Sequence, residues 1–168
     1  MVNIGRYLRH LFMPPRAWKR AFPQATLDAI EAAIRESETS HGGEIRFVVE
    51  NSLPAILAWR GASGRERAVE VFSNLRVWDT EHNSGVLIYL LLADRDIEIV
   101  ADRGIAERVG QGDWDAVAQT MEAAFRQGDF EHGALAGIAR VSALLAANFP
   151  PSGHNPDELA NRPLILGR

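Results

Sequence analysis

Ionisable and amide side chains gather in a few short stretches of this 168-residue chain. One set is His41, Glu44, Asp79, Thr80, Glu81, His82, Asn83, Asp102, Arg103 and Gly104; a second is Glu50, Asn51, Asp94 and Asp96. Two chemistries suit the first set. Glu44, Asp79, Asn83 and Asp102 offer the oxygen ligands that calcium and magnesium prefer. Arg103 and the amides around Gly104 offer a fork of donors for a phosphate, with Asp102 or Asp79 as nucleophile or base. No regular motif accompanies either chemistry. The chain has no EF-hand spacing, no glycine-rich loop followed by Lys and Ser or Thr, no G-x-S-x-G elbow and no H-E-x-x-H pair. His10, His41, His82, His132 and His154 lack zinc spacing, and the absence of cysteine removes disulfides, thiolate metal sites and thiol nucleophiles. A plainer reading stands beside these. Asp79 and Thr80 make local backbone hydrogen bonds in a turn, and Glu44 and Asp102 pair with arginines on the rim.

The elements that position these residues follow from hydrophobic period. Leu27, Ile30 and Ile34 share a helix face ended by His41-Gly42-Gly43. Residues 44–50 are β-branched and aromatic at their centre, which predicts a strand. Ser63 and Glu66 have capping-box spacing ahead of an apolar stripe through Ala68, Val71, Phe72 and Leu75. Residues 86–92 are apolar on both faces, as a central strand requires. Residues 93–96 form a turn, and 97–101 predict an antiparallel hairpin partner. Two helices complete the pattern, one capped by Asp113 and ending at Gly128, the other from about Glu131 to Asn148. Residues 150–168 hold four prolines and predict an extended tail. A right-handed strand–helix–strand crossover makes the first two strands parallel. The expected fold is α/β, a three-layer α/β/α Rossmann-like sandwich with a small mixed sheet. That topology places the first polar set at the amino ends of the parallel strands. The second set falls at the carboxyl ends, where ligands of open α/β sheets usually bind.

Charge divides the chain further. The net charge is −4, which argues against a nucleic-acid partner for the molecule as a whole. Yet Arg6, Arg9, Arg16, Lys19 and Arg20 precede the first acidic residue, Asp28. Ile4, Tyr7, Leu8, Leu11 and Phe12 recur at helical spacing among them until Pro14 and Pro15. Three readings compete for this segment: docking on the domain, lying on an anionic membrane surface through residues 1–22, or contact with nucleic acid or another partner. Arg6 and Arg9 interrupt any secretory apolar core. The longest apolar run, Gly85 to Ala93, is far short of the ~20 residues of a membrane span. These features suit a cytoplasmic protein, with membrane association through the basic segment. The expected division is a basic amphipathic segment 1–24, a domain 25–149 and a Pro-rich tail 150–168.

Several motifs together resemble a known family. Glu44-Ile45-Arg46-Phe47-Val48-Val49, Asn83-Ser84-Gly85-Val86-Leu87-Ile88, Asp94-Arg95, Asp102-Arg103-Gly104-Ile105 and Phe125-Arg126-Gln127-Gly128-Asp129-Phe130 with Gly133 occur in order. The set resembles the TPM domain over roughly residues 25–149. His41-Gly42-Gly43-Glu44 and Val77-Trp78-Asp79-Thr80-Glu81-His82-Asn83 are most similar to its short bacterial group, which lacks a signal peptide and a transmembrane tail. The resemblance implies a Rossmann-like α/β/α sandwich. Its members include a plant thylakoid-lumen protein of photosystem II repair with reported acid phosphatase activity, and others linked to calcium binding or membrane-protein assembly. Many members read glycine–aromatic–glycine where this chain has Asp102-Arg103-Gly104, which adds charge there. Two functions are therefore expected as alternatives. One is a non-catalytic accessory domain with a protein partner near the membrane surface, holding calcium or magnesium through Glu44, Asp79, Asn83 and Asp102. The other is a weak acid-phosphatase-like phosphomonoester hydrolase using Asp102, Asp79 and Arg103.

Overall fold

The alternation of side chains along β1 (Glu44–Glu50) sets the layers. Ile45, Phe47 and Val49 point into one core and Val48 into another. A computed structural model describes residues 3–154 and 156–167. Before β1 come α1 (Ile4–Leu11), α2 (Trp18–Ala21) and α3 (Gln24–Ser37). After it come α4 (Ala55–Trp59), α5 (Gly64–Asn74), β2 (Gly85–Leu91) and β3 (Asp96–Ala101). The chain then forms α6 (Arg103–Ala106), α7 (Gln111–Arg126), α8 (Phe130–Asn148) and β4 (Leu164–Leu166). The sheet order is β3-β2-β1-β4. β1 runs parallel to β2 and β4, and β3 is antiparallel to β2. This is a mixed α/β fold with a four-stranded open sheet, consistent with a three-layer sandwich.

The larger core joins Val86, Ile88 and Leu90 of β2 to Ile30 and Ile34 of α3, Met121 and Phe125 of α7, and Ile138 and Val141 of α8. The smaller core joins Leu87, Tyr89 and Leu91 to Ala58 of α4 and Ala68 and Val71 of α5. β2 is thus buried on both faces, as its unbroken apolar run requires. Gly137 lets α8 approach α7 closely, because a Cβ there would lie 2.3 Å from the Met121 sulfur.

The capping box forms as expected: Ser63 Oγ accepts from the Glu66 amide, and the Ser63 amide donates to Glu66 Oε2 at 2.7 Å. Three expectations shift. Helix α7 is capped by Gly110, with Asp113 in its first turn rather than at its cap. An acidic residue there still suits the positive helix end. Three short helices, α2, α4 and α6, were not expected. The C-terminal residues are not extended throughout, because Leu164, Ile165 and Leu166 pair with Val48, Val49 and Glu50 as an edge strand. Prolines are tolerated beside such an edge. Arg46 holds the approach to it by donating to the Ala160 and Arg162 carbonyls.

Candidate functional site

Because β4 is parallel to β1, the residues before it pass the amino end of the sheet. Glu38 reaches the same place as the C-cap of α3, and Glu44 as the first residue of β1. Asp157 and Asn161 come from the C-terminal segment. One carboxylate oxygen each from Glu38, Glu44 and Asp157 lies within 4.8 Å of the others. The residues line a cleft of about 250 Å³ with Arg35, Thr39, Pro151 and Ser152.

Local hydrogen bonds fix these groups. Glu38 Oε1 accepts from the Ile45 amide at 3.1 Å, and Glu44 Oε2 from the Leu159 amide at 3.1 Å. Asn161 Nδ2 donates to Asp157 Oδ2 at 3.3 Å, and the Asn161 side chain also bonds Glu38. Asn161 is only 7% exposed, and its buried Oδ1 has no hydrogen-bond partner. Among the described residues, Glu44 and Asp157 have no ion-pair partner, and Arg35 is engaged by Glu31 at 3.0 Å.

Burial pushes the Glu38 carboxyl up to about 8, and the nearby charges of Glu44 and Asp157 add to the rise. Burial likewise pushes Glu44 up to about 7, with Asp157 and Glu158 contributing. Crowded carboxylates of this kind hold protons near neutral pH unless a cation replaces them. Three carboxylates match part of the oxygen donor set of a hard divalent cation.

Of the four ligands read from the sequence, Glu44 alone joins this cluster. Asp79 and Asp102 belong to no such group among the described residues. The 79–84 loop and the start of α6 do meet: a Cβ on Gly104 would lie 2.8 Å from the His82 and Asn83 carbonyl oxygens. There, however, the residues serve local structure. Asp79 is exposed, Thr80 Oγ1 accepts from the Ser84 amide at 2.9 Å, and Asn83 adopts a positive φ of 51°. Asparagine tolerates that conformation better than most residues. Asp102 Oδ1 accepts from the Arg103 amide at 2.7 Å, while Oδ2 is buried without a partner. Arg103 itself is exposed.

Sequence reasoning missed Glu38, Asp157 and Asn161. Glu38 lies six positions before Glu44, across the glycine turn that reverses the chain from α3 into β1. That reversal was the available signal for Glu38. For Asp157 and Asn161 the local sequence offered none.

The carboxyl end of the sheet is assembled differently. Glu50 accepts two parallel hydrogen bonds from Arg67, each 2.9 Å, and one from the Tyr89 hydroxyl at 2.5 Å. Burial, reinforced by the Glu50 charge, pushes the Tyr89 phenol well above its ordinary value. Asp94 accepts from Arg6 at 2.9 Å and from Arg9 at 3.3 Å, and contacts His10 Nε2 at 3.1 Å. His10 Nδ1 accepts from the Leu53 amide, so the proton sits on Nε2. Burial lowers the His10 pKa against the pull of Asp94, which keeps the ring neutral. Asn51 Nδ2 donates to the Pro14 carbonyl, and its Oδ1 accepts from the Trp18 amide. A cleft of about 380 Å³ remains there, between the segment after α1 and the end of β4.

Fold and motifs together define an α/β domain of one family. The chain belongs to the TPM domain family, which it matches over residues 19–144. It is similar to the BA42 protein from the psychrophilic bacterium Bizionia argentinensis, known by NMR. The two are 33% identical with a TM-score of 0.74, over 84% of this chain and 92% of that one. The N-terminal domain of a protein from P. gingivalis, also solved by NMR, shares the fold. It is 18% identical with a TM-score of 0.62, over 84% of this chain and 95% of that one. No curated protein matches the chain. Among the described residues no helix is long and apolar enough to cross a membrane.

Proposed function

We propose that this chain is a divalent-cation-binding accessory domain that works by binding rather than by turnover. The observation that carries the reading is the convergence of carboxylate oxygens of Glu38, Glu44 and Asp157 within 4.8 Å of one another, two of them on buried residues. Carboxylates buried without a compensating charge are costly, and a hard cation would remove that cost. It would also neutralise carboxylates that otherwise repel. Calcium or magnesium fits the oxygen-only donor set. Asp157 comes from the C-terminal segment and holds Asn161, so the ion would fasten residues 157–161 to the start of β1. Protein-binding surfaces formed by that segment would then depend on the ion.

The competing reading is a phosphomonoester hydrolase built on Asp102, Asp79 and Arg103. Its proposed nucleophile gains nothing from the geometry, because Asp102 Oδ2 is shut away from solvent and Asp79 lies on the surface. A nucleophile must come within about 3–3.5 Å of the atom it attacks.

Calorimetric titration of the metal-free protein with calcium and with magnesium tests the proposal. Wild type should show a saturable site, with protons released at pH 7 as the ion displaces them. Glu44→Gln and Asp157→Asn should each lose at least about tenfold in affinity. Absence of saturable heat for both ions, or equal affinity in both variants, overturns it. Phosphate release that survives purification and is lost in Asp102→Asn would favour the hydrolase.

A further inference from the structure

Helix α1 is mounted the wrong way round for an ordinary surface helix. Amphipathic helices bury their apolar stripe and leave charges in water. Here part of the polar side faces inward: His10 is the buried residue of α1 and the half-buried Arg6 pairs with Asp94, which the exposed Arg9 also reaches. The apolar stripe faces outward. Ile4, Leu8, Leu11 and Phe12 follow helical spacing and are all exposed, Ile4 at 65% and Phe12 at 73%.

The stripe continues onto a second element. Tyr7 of α1 packs edge-to-face on Trp59 of α4 at 5.3 Å, joining the two helices. Trp59 and its neighbour Ile56 remain more than half exposed. Isolated apolar residues on a surface need no explanation, but a contiguous patch marks an interaction site. The ion pairs of Arg6 and Arg9 with Asp94 hold the patch against the domain.

Charge identifies the occupant. Residues 3–27 contain five basic side chains and no acidic one. Arg16, Lys19 and Arg20 are exposed, and α4 is followed by exposed Arg60. Among the described residues these four form no ion pair. Apolar residues and aromatic rings beside unpaired cations match the boundary between acyl chains and anionic headgroups. Long basic side chains reach the headgroups while their stems lie along the apolar layer. We propose that the outward face of α1, together with Ile56 and Trp59, docks on an anionic lipid surface. The proposal goes beyond the cation site and uses none of its residues.

Vesicle co-sedimentation in EDTA tests it, and the chelator keeps the result independent of cation binding. The full chain should sediment with phosphatidylcholine vesicles containing phosphatidylglycerol and stay in solution with phosphatidylcholine alone. Leu8→Ser with Phe12→Ser should weaken that binding by at least about tenfold, as should Arg16→Glu with Arg20→Glu. All four side chains are exposed, and an unchanged far-ultraviolet circular dichroism spectrum checks the fold. No binding to the anionic vesicles, or unchanged binding by the Leu8 and Phe12 double variant, overturns the proposal. So does concentration-dependent dimerisation abolished by that variant, which would give the face to a second copy of the chain.

Discussion

Both ends of the sheet gather polar residues, and their buried carboxylates are compensated differently. At the carboxyl end Glu50, Asn51 and Asp94 all have partners, while the half-buried Asp96 has none among the described residues. Glu50 is held by Arg67 and Tyr89, Asp94 by Arg6, Arg9 and His10, and Asn51 by two backbone groups. At the amino end Glu38, Glu44 and Asp157 crowd together, and Asn161 keeps an unpartnered oxygen. The position usual for ligands in open α/β sheets is thus bordered by the protein's own N-terminal segment, which leaves a cleft of about 380 Å³ there. The difference teaches that the density of polar residues does not mark a site. What marks it is charge left uncompensated inside the fold.

Removing a partner from the carboxyl end should have the largest effect. Arg67→Met leaves Glu50 charged and buried, and should cost about 3–5 kcal/mol in urea unfolding. If the cost is below about 1 kcal/mol, the two ends are not as different as described. Next, calcium at a hundredfold excess over its dissociation constant should stabilise the wild type by about 2.7 kcal/mol. That raises Tm by about 5–10 °C for a domain of this size, and Asp157→Asn should remove the gain. Asp94→Asn should cost about 1–2 kcal/mol by weakening the hold on α1. Hydrogen exchange should then speed up over residues 4–11 more than in β1.

The smallest effect is a pH dependence confined to the amino end. Glu38 and Glu44 bind protons more tightly folded, at about 8 and about 7, than at their ordinary 4.5. Their contribution to stability is therefore full below pH 4.5 and is lost as pH rises through 7 and 8. Metal-free protein should lose about 3 °C or more in Tm from this source between pH 5 and 8. Glu44→Gln should flatten the slope, and calcium should reverse it. An unchanged slope in Glu44→Gln would remove that residue from the cluster.

The layers were legible because each depends on a local period. Leu27, Ile30 and Ile34 share a helix face, residues 44–50 alternate, and Ser63 with Glu66 announces α5. Strand β4 was not legible, because three residues among prolines carry too short a pattern, and its pairing with β1 spans more than a hundred positions. That omission hid Asp157 and Asn161, which only the parallel placement of β4 brings to the amino end. Glu44 was legible as a candidate since it opens a strand. Asp79 has the right chemistry but stays exposed, and Asn83 takes the positive φ of the turn before β2. For α1, the period revealed which residues share a face. It did not reveal that Asp94 would draw part of the polar face inward.

Backbone amide shifts followed through a calcium titration at pH 7 test the central claim most directly. Saturable changes concentrated in residues 38–45 and 157–161, absent in Asp157→Asn, are the predicted result. Saturable changes around Glu50, Asn51 and Asp94, or around Asp79 and Asp102, or no saturable change at all, would contradict it.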